Sequence, residues 1–400
     1  MIDACERRQP RPSQLPLQGV RVLSMEQFGA GPYGSMFLAN LGADVVKIEN
    51  PASGGDPARH TGPHFLGESD SQYFQGWNLG KKSIELDLKT GEGRAAFDVL
   101  IREADVFLNN LRGDQAAKLG VEYAGLRDLN PALVCVHISA YGRDTSRTAW
   151  PGYDYLMQAE SGLMGLTGEP GTPPARIGAP SIIDHMAGIT AMVGLLSALL
   201  RARETGEGCD VDTCLFDVAV HQLGYAATWY LNEGDVTQRQ PRSGHYSVAP
   251  VQTFQTTDGW VFVMCMTQKF WEELLAVLVR PDLGEMPEFR TMAARHANRE
   301  YLTQVLDAEF GRHPTGYWLE QLEGRLPIAP VLGLAEALES DFIRESGMLS
   351  DVSHPAKPQL RVLANPLKFD GRRPALKACS ARGEDGETVM TERKRGRNEA

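Results

Sequence analysis

The sequence predicts an α/β chain with a large domain built on an open, largely parallel sheet and a smaller α+β domain. Two observations predict the sheet. Short apolar strands alternate with helical stretches between residues 20 and 139, and the first strands are spaced as in a β-α-β unit. A third observation predicts the smaller domain, because from about residue 243 a hairpin pattern and helices with aromatic anchors replace this alternation.

The large domain opens with a β-α-β unit. Strand Val20–Ser24 precedes a helix at Pro32–Leu41, which has proline in its first turn and Gly42 just past its end. Strand Asp44–Glu49 completes the unit. The alternation then continues through strand Ser83–Leu88, helix Gly93–Glu103, strand Asp105–Asn109 and strand Leu133–Ser139.

The later elements follow from the hydrophobic pattern and from turn residues. Residues 186–203 are apolar on nearly every face, which predicts a buried helix, and a strand is expected at Cys209–Thr213. Asp258-Gly259 is typical of a hairpin turn. The hairpin strands and the following elements are predicted at Thr253–Gln255, Trp260–Cys265, Phe270–Val279, Arg299–Phe310, Thr315–Glu323, Met348–His354 and Gln359–Leu363.

Shifts in composition indicate the domain bounds. We assign residues 17–229 to the large domain and residues 230–335 to the small domain. The first 16 residues are rich in Pro and Arg, and residues 381–400 are rich in Arg, Glu and Gly. Both ends are therefore expected to be disordered tails.

Charge and cysteine usage limit the function classes. A net charge of −11 over 400 residues argues against a nucleic-acid partner, which needs a dominant basic face. The six cysteines form no C-x-x-C pair, so we expect reduced thiols and no metal site. The N-terminus has no apolar leader segment, and no run of 18 apolar residues occurs. We expect a cytoplasmic protein that does not bind membranes.

A glycine motif follows the first strand and allows three interpretations. Gly29, Gly31 and Gly34 match G-x-G-x-x-G, and Glu49 ends the next strand, a pattern typical of NAD-dependent dehydrogenases. Against that function, the following helix is short and Pro32 lacks the N–H that a pyrophosphate would need. A plain tight turn that needs glycine is the second interpretation. The third comes from the wider sequence.

Seven short motifs occur in a fixed order over residues 17–370. They are Gly29–Pro32 with Leu38–Glu49, Gly80–Lys89, Asn110 with Arg112–Gly120, Ser139–Gly142, Gly152–Gln158, Ile183–Gly188, and Ala249–Phe254 with Asp258-Gly259. In this order the sequence resembles the family III CoA-transferases. The resemblance implies an enzyme that moves CoA between an acyl-CoA thioester and a free carboxylic acid. It also implies a Rossmann-like large domain completed by residues 340–380.

The resemblance implies that Asp184 is the nucleophile. In this family an aspartate just before a buried helix attacks the thioester carbonyl, which gives an aspartyl anhydride and then an aspartyl-CoA thioester. A helix N-terminus can stabilise the carboxylate and the oxyanions formed there. An ordinary N-cap is the alternative role for Asp184, and the two roles are compatible.

The CoA-binding positions of the family also carry over. Arg112 and Lys118 offer charge for phosphates, although either alone is typical of a solvated surface charge. Asn50 and Ser139 stand where formyl-CoA transferase has an arginine and a lysine. The implied CoA-binding positions are Gly29, Ala30, Asn50, Leu86, Asp87, Leu88, Lys89, Asn110, Leu111, Arg112, Lys118, Ser139, Ala140, Tyr141 and Gly142.

A few further residues are candidates for substrate contact. Tyr153 occupies the position of the histidine base in the racemase branch, and a neutral phenol is a poor base for a carbon acid, although Asp154 beside it is a rival base. Arg242 and His245 either hold the distal carboxylate of a dicarboxylic acid or form a polar turn. His185 is expected to pack or to line the pocket. The single glycine near His245 makes oxalate an unexpected acceptor.

The resemblance also implies an interlocked homodimer, in which each subunit is a ring threaded by the other. It implies no metal or redox cofactor, with CoA entering only as a substrate. An acyl-CoA racemase or isomerase of the same fold is the alternative. An NAD-dependent dehydrogenase, or a CoA-binding protein without catalysis, is the alternative of another class.

Overall fold

The chain divides into two units in a computed structural model that describes residues 15–178 and 180–396. The disorder expected for residues 1–16 is wrong for Leu15 and Pro16, which form part of a turn, and for residues 1–14 it lies outside this range. One unit comprises the segment ending at Ser161, Gly178–Gln222 and the segment starting at Phe342; the other comprises Gly162–Ile177 and Leu223–Asp341. The second unit is therefore longer than the predicted small domain, 230–335.

One arginine explains why a segment near residue 170 belongs to the second unit and not to the predicted large domain. The Arg239 guanidinium donates hydrogen bonds to the carbonyl oxygens of Gly165 (2.9 Å) and Thr172 (2.9 Å). These bonds join two stretches that are about 70 residues apart in the sequence. Hydrophobic periodicity carries no signal for such a contact, so the sequence pattern missed it.

Six parallel strands form the sheet of the first unit, in the order β3-β2-β1-β4-β5-β6. Their bounds are β1 Arg21–Met25, β2 Asp44–Glu49, β3 Lys82–Glu85, β4 Val106–Asn109, β5 Val134–Ser139 and β6 Cys209–Cys214. The direction of winding reverses between β1 and β4, which is the Rossmann-like order and places the ligand-binding crevice beyond the carboxyl ends of these strands. The predicted parallel α/β sheet is confirmed.

In chain order the helices are α1 Ala30–Asn40, α2 Gln72–Asn78, α3 Gly91–Ile101, α4 Gln115–Leu119, α5 Tyr123–Leu126, α6 Asp154–Glu160, α7 Leu163–Leu166, α8 Ile182–Thr205, α9 Leu215–His221, α10 Gly224–Glu233, α11 Gln268–Leu278, α12 Pro281–Glu285, α13 Met292–Ala297, α14 Arg299–Phe310, α15 Thr315–Leu322, α16 Leu334–Glu339, α17 Asp341–Ser346 and α18 Gly386–Gly396. Helices α1–α6 and α8 lie between these six strands in the chain as the sequence predicted, and the remaining helices belong to the second unit or follow β6. Short 3-10 turns lie at Pro51–Ser53, Pro57–His60 and Pro241–Ser243.

Helix α8 is the long buried helix that the sequence predicted. It packs against β5, β6 and α1, and Leu195 and Leu199 are buried. On another face Val193 is 64% exposed and Leu200 is 72% exposed. By length and composition alone α8 meets the criteria for a membrane span, which core helices of soluble proteins also meet. Freedom from membranes stays a prediction.

The C-terminal segment is folded, so the expected disorder is wrong for residues 381–396. Strands β10 (Leu349–His354) and β11 (Lys357–Leu363) form the predicted antiparallel hairpin. Helix α18 then packs against α3 and β3, with Val389 buried. The charged composition of this segment hides a short apolar side: among the side chains of α18 that the structure describes, Val389 and Met390 pack against the core beneath α3.

The second unit has an antiparallel sheet of β7 (Val251–Gln255), β8 (Trp260–Met264) and β9 (Ile328–Pro330). The hairpin predicted from Asp258-Gly259 is confirmed, since Gln255 pairs with Trp260 across the turn. Helices α11, α14 and α15 start and end within two residues of their predicted bounds. Aromatic side chains fill the core of this unit, among them Phe254, Trp271 and Phe310.

Candidate active site

Two adjacent cavities lie at the carboxyl edge of the parallel sheet, at the reversal of winding. The first, of about 260 Å³, is lined by residues that follow β1, β2 and β3. The second, of about 380 Å³, is lined by residues that follow β1, β4 and β5 and by Asp184. Leu111 and Gln27 line both cavities. An extended ligand can therefore run along this edge and reach Asp184.

Asp184 lies in the first turn of α8, inside the helix and not before it as the sequence suggested. Ser181 is the N-cap residue, so the N-cap role considered for Asp184 is wrong. Burial, followed by the negative charge of Asp154, raises the pKa of Asp184 to about 7, and the Ser181 hydroxyl opposes this by hydrogen bonding. The carboxylate is thus a partly desolvated base that ionises near neutral pH.

The N-terminus of α1 abuts this carboxylate. A Cβ atom at Gly29 would overlap the Asp184 carboxyl group and the Trp77 ring, so only glycine leaves room for this carboxyl group. No side chain caps α1 at Gly29. The N–H groups of Ala30 and Gly31 therefore have no acceptor within the helix or from the cap, and the positive end of the helix dipole faces Asp184.

Close packing of α1 on α8 explains the glycine motif. A Cβ at Gly34 would come within 2.8 Å of the Gly188 carbonyl oxygen, and a Cβ at Gly188 within 2.6 Å of the Ala30 carbonyl oxygen. The motif glycines Gly29, Gly31 and Gly34 are not among the glycines with positive φ. The tight-turn interpretation is therefore wrong, because these residues are glycine to let two backbones approach.

Asp154, at the start of α6, is buried beside Asp184. Its Oδ2 accepts hydrogen bonds from the backbone N–H groups of Ile183 (2.5 Å) and Asp184 (3.0 Å), and its Oδ1 accepts from Gln158 Nε2 (2.6 Å). Three donors therefore hold this carboxylate. Asp154 is committed to these contacts and is not placed as the rival base of a racemase.

Aromatic rings from α1, α2 and α8 lie near Asp184. His185 stacks on Tyr33 with ring centroids 4.1 Å apart and meets Trp77 edge-on at 5.3 Å. Burial lowers the pKa of His185, which keeps the imidazole neutral at physiological pH. Burial and then the charge of Asp184 raise the pKa of Tyr73 to about 12. His185 packs in this wall as the sequence predicted.

The predicted CoA-binding positions lie mostly in the two cavities. Those lining the first cavity are Asn50, Leu86, Asp87, Leu88, Lys89 and Leu111. Those lining the second are Gly29, Ala30, Asn110, Leu111, Arg112, Ser139 and Ala140, together with the substrate candidate Tyr153. Asn50 also caps a short 3-10 turn, because its Oδ1 accepts the Ala52 N–H.

The predicted positions Lys118, Tyr141 and Gly142 do not line the two cavities, and they bond to protein groups instead. Lys118 does not line either cavity, and its ammonium group pairs with Asp114, which the Arg112 guanidinium also contacts at 2.6 Å. Tyr141 donates its hydroxyl hydrogen to Glu160 (2.9 Å). Gly142 has φ +90°, a conformation that favours glycine, and its N–H donates to Ser139 Oγ.

Arg242 and His245 belong to the second unit. The Arg242 guanidinium pairs with Asp307 at 2.5 Å. The His245 carbonyl accepts a hydrogen bond from Arg299, and burial lowers the pKa of the His245 imidazole. Both residues therefore have protein partners within this unit, and their contact with the distal carboxylate of a substrate stays a prediction.

Comparison with known proteins identifies the chain. Residues 17–385 match the sequence profile of CoA-transferase family III. The chain belongs to this family. The resemblance read from the seven motifs is therefore confirmed, and the dehydrogenase interpretation of the glycine motif is not supported.

Curated relatives align with nearly the whole length of this chain. A succinyl-CoA:mesaconate CoA-transferase from Haloarcula hispanica is 35% identical over 90% of this chain and 91% of its own. An acetyl-CoA:oxalate CoA-transferase from Acetobacter aceti is 32% identical over 89% and 90%. Among solved structures, a CAIB/BAIF family protein from Brucella suis has a TM-score of 0.82 at 31% identity, covering 95% of this chain and 100% of that one. The fold class and the transferase activity predicted from the sequence are confirmed.

The sequence did not predict that three residues surround Asp184. Asp154 was considered only as a base, whereas Trp77 and Tyr73 were not considered at all. They come from α2 and α6, which are separated from Asp184 by 30 or more residues. The only sequence signal was the aspartate in the Gly152–Gln158 motif, since neither aromatic residue stands in one of the seven motifs.

Proposed function

We propose that this transferase exchanges CoA between two dicarboxylic acids through a covalent intermediate on Asp184. One observation carries the proposal: a carboxylate with a raised pKa lies in a cavity at the carboxyl edge of the sheet, against the N-terminus of α1. The names of the relatives support the substrate class, because succinate, mesaconate and oxalate are all dicarboxylates.

The reaction needs only the carboxylate and the two substrates. Asp184 Oδ attacks the thioester carbonyl, the C–S bond breaks, and CoA leaves as a thiolate from the mixed anhydride. The thiolate attacks the aspartyl carbonyl and expels the donor acid, which leaves an aspartyl-CoA thioester. The acceptor carboxylate attacks this thioester and releases the thiolate, which then attacks the acyl carbonyl of the acceptor. Asp184 is regenerated as a carboxylate.

The surrounding residues support each step. The N-terminus of α1, which carries the N–H groups of Ala30 and Gly31, abuts Asp184 and can stabilise the negative charge that develops there. CoA runs along the carboxyl edge, with its thiol end in the cavity that contains Asp184. The aromatic wall of Tyr33, Trp77 and His185 keeps water from the anhydride.

A panel of acceptors tests the substrate class. The enzyme is incubated with succinyl-CoA and, in turn, mesaconate, glutarate, oxalate or the monocarboxylate butyrate, and the CoA thioesters are read by mass spectrometry. We expect transfer to mesaconate and glutarate and poor transfer to oxalate and butyrate. Equal transfer to butyrate would contradict the dicarboxylate preference.

Two variants test the covalent step. Asp184→Ala is expected to abolish transfer while the far-UV circular dichroism and CoA binding are kept. Asp217→Ala is the matched control, because Asp217 is an exposed aspartate in the first turn of α9 that lies outside the cavity of Asp184. In the native enzyme, mass spectrometry of peptide 177–201 is expected to show an acyl or CoA adduct on Asp184. A folded Asp184→Ala variant with more than a few per cent of the activity would refute the assignment.

We further propose an interlocked homodimer that works in the cytoplasm without a metal or redox cofactor. Exposed apolar side chains on α8, α9 and α10 support an interface, among them Leu200, Val220 and Leu231. Light scattering coupled to gel filtration is expected to give twice the mass of one chain, independent of dilution. Dialysis against EDTA is expected to leave the activity unchanged.

A further inference from the structure

The first turn of the nucleophile helix is capped by a residue from another helix. Ser181, the N-cap of α8, has φ 48° and ψ 52°, the left-handed region that is strained for a residue with a Cβ. Its side chain makes no capping hydrogen bond. The N–H groups that it would cap, those of Ile183 and Asp184, are instead accepted by Asp154 Oδ2 from α6.

This arrangement releases the Ser181 hydroxyl for another contact. The hydroxyl hydrogen-bonds the Asp184 carboxyl group and favours its ionised form. The left-handed backbone of Ser181 therefore turns the usual capping group toward the nucleophile, and Asp154 supplies the cap in its place. The strain at Ser181 is the kind that concentrates at functional sites.

Asp154 is also a buried charge close to a second carboxylate. Its side chain is 3% exposed, and its two oxygens are held by Ile183, Asp184 and Gln158. Tyr73 from α2 and His185 from α8 itself lie near Asp184, and Tyr153 lines the same cavity. Tyr73 also senses the charge of Asp56. The negative charge of Asp154 contributes to the raised pKa of Asp184.

We propose that Asp154 is a positioning residue that fixes the backbone of Asp184 by accepting its N–H and holds a negative charge beside the nucleophile. The proposal rests on the covalent role of Asp184 argued above. A more basic carboxylate is a stronger nucleophile toward the thioester. The charge of Asp154 adds to burial in making Asp184 more basic.

The test separates the charge of Asp154 from its hydrogen bonds. Single-turnover formation of the adduct on Asp184 is measured from pH 5.5 to 8.5 with succinyl-CoA. In the native enzyme the rate falls as the pH drops below about 7, because protonated Asp184 is not a nucleophile. Asp154→Asn keeps an acceptor but loses the charge, so the midpoint is expected to fall by about one pH unit. Asp154→Ala loses both, and kcat is expected to fall about tenfold or more while KM changes little.

A second variant keeps the proposal testable if Asp154 variants misfold. Ser181→Ala removes the hydroxyl that favours the ionised carboxylate, so the midpoint is expected to rise, opposite to Asp154→Asn. The matched control is Asp258→Asn in the second unit, where Asp258 Oδ1 accepts the Thr315 N–H (2.7 Å) at the start of α15. This control is expected to leave the pH profile unchanged.

The outcomes distinguish this inference from the proposed function. If the native enzyme forms no adduct on Asp184, the covalent function fails. If the native enzyme forms the adduct but Asp154→Asn has the native midpoint and rate, the positioning role is overturned. If Ser181→Ala lowers the midpoint, the exchange of caps between Ser181 and Asp154 is refuted.

Discussion

At the scale of single residues, Asp184 destabilises the fold when its carboxyl group is ionised. The pKa of Asp184 is raised from 3.8 to about 7, mainly by burial, so the folded protein binds this proton more tightly than the unfolded chain. Stability is therefore lost as the pH rises from about 4 to 7. A difference of roughly three pH units corresponds to about 4 kcal/mol as an upper bound. The burial that makes this carboxylate more basic therefore lowers the stability of the fold at neutral pH.

We predict that Asp184→Asn raises the free energy of unfolding at pH 8 by up to about 4 kcal/mol. The amide carries no charge to desolvate, and the gain should shrink toward zero as the pH falls to 4. Urea denaturation at pH 4, 6 and 8 measures it, with Asp217→Asn as the exposed control. A gain of the same size at every pH would show that ionisation is not its cause.

The sequence located Asp184 but not its surroundings. The order of seven motifs pointed to Asp184, because such order survives without any knowledge of contacts. Hydrophobic periodicity placed the start of α8 at residue 186, whereas the helix begins at Ile182. The first turn carries Asp184 and His185 after Ile182 and Ile183, and these two polar residues interrupt the apolar run by which periodicity detects a buried helix. The cap from Asp154 depends on folding and has no local signal.

Gly29 provides a second test at this scale. We predict that Gly29→Ala lowers kcat about a hundredfold or more, because the added methyl group must displace the Asp184 carboxyl group or the Trp77 ring. Steady-state kinetics with succinyl-CoA measures the loss. Gly91→Ala is the control, since Gly91 starts α3 and a Cβ there meets no atom within 4 Å. Full activity of Gly29→Ala would show that the position of the Asp184 carboxyl group does not depend on a glycine at residue 29.

At the scale of elements, the crossing of α1 and α8 sets the site. The sequence predicted both helices, yet the glycines between them matched a dinucleotide motif, because the same residue type serves a phosphate turn and a close helix crossing. Only the packed structure distinguishes the two uses. Here Gly34 and Gly188 face each other, and their contact fixes the distance between Gly29 and Asp184.

We predict that Gly188→Ala lowers the free energy of unfolding by roughly 1–3 kcal/mol, because its Cβ would meet the Ala30 carbonyl oxygen at 2.6 Å and force the helices apart. Gly76→Ala in α2 is the control. A Cβ there meets nothing within 4 Å, so this variant should gain up to about 1 kcal/mol in helix propensity. Chemical denaturation compares them. An unchanged free energy of unfolding for Gly188→Ala would show that α1 and α8 can move apart without loss of stability.

At the scale of the whole molecule, buried ion pairs support the carboxyl edge of the sheet. Lys81 Nζ lies 2.7 Å from Glu26 and Arg59 Nη2 lies 2.7 Å from Glu49, with all four side chains buried. Hydrogen bonds and the charge of Arg59 overcome burial and lower the pKa of Glu49 to about 2. A sequence cannot show which of its charged residues pair inside, so composition alone gave no sign of this layer.

The same region ties the C-terminus to the sheet. The Ser380 N–H donates to the Lys81 carbonyl (3.1 Å), and the Ser83 N–H donates to Asp385 (2.8 Å), so the C-terminal segment covers the free edge of β3. Composition predicted disorder for residues 381–400 because Arg, Glu and Gly dominate there. One buried valine on α18 was too little signal to reverse that prediction.

That valine makes the role of the C-terminal helix testable. Val389 is 1% exposed against the core beneath α3, so Val389→Asp would place an unpaired carboxylate there. We predict that this variant releases α18 from the edge of β3 and lowers the melting temperature by several degrees, with faster amide hydrogen exchange in β3. Thr388→Asp introduces the same charge one residue earlier at an exposed position and should change neither quantity. Equal behaviour of the two variants would show that α18 contributes nothing to the stability of the sheet, and that the first unit is complete without its last helix.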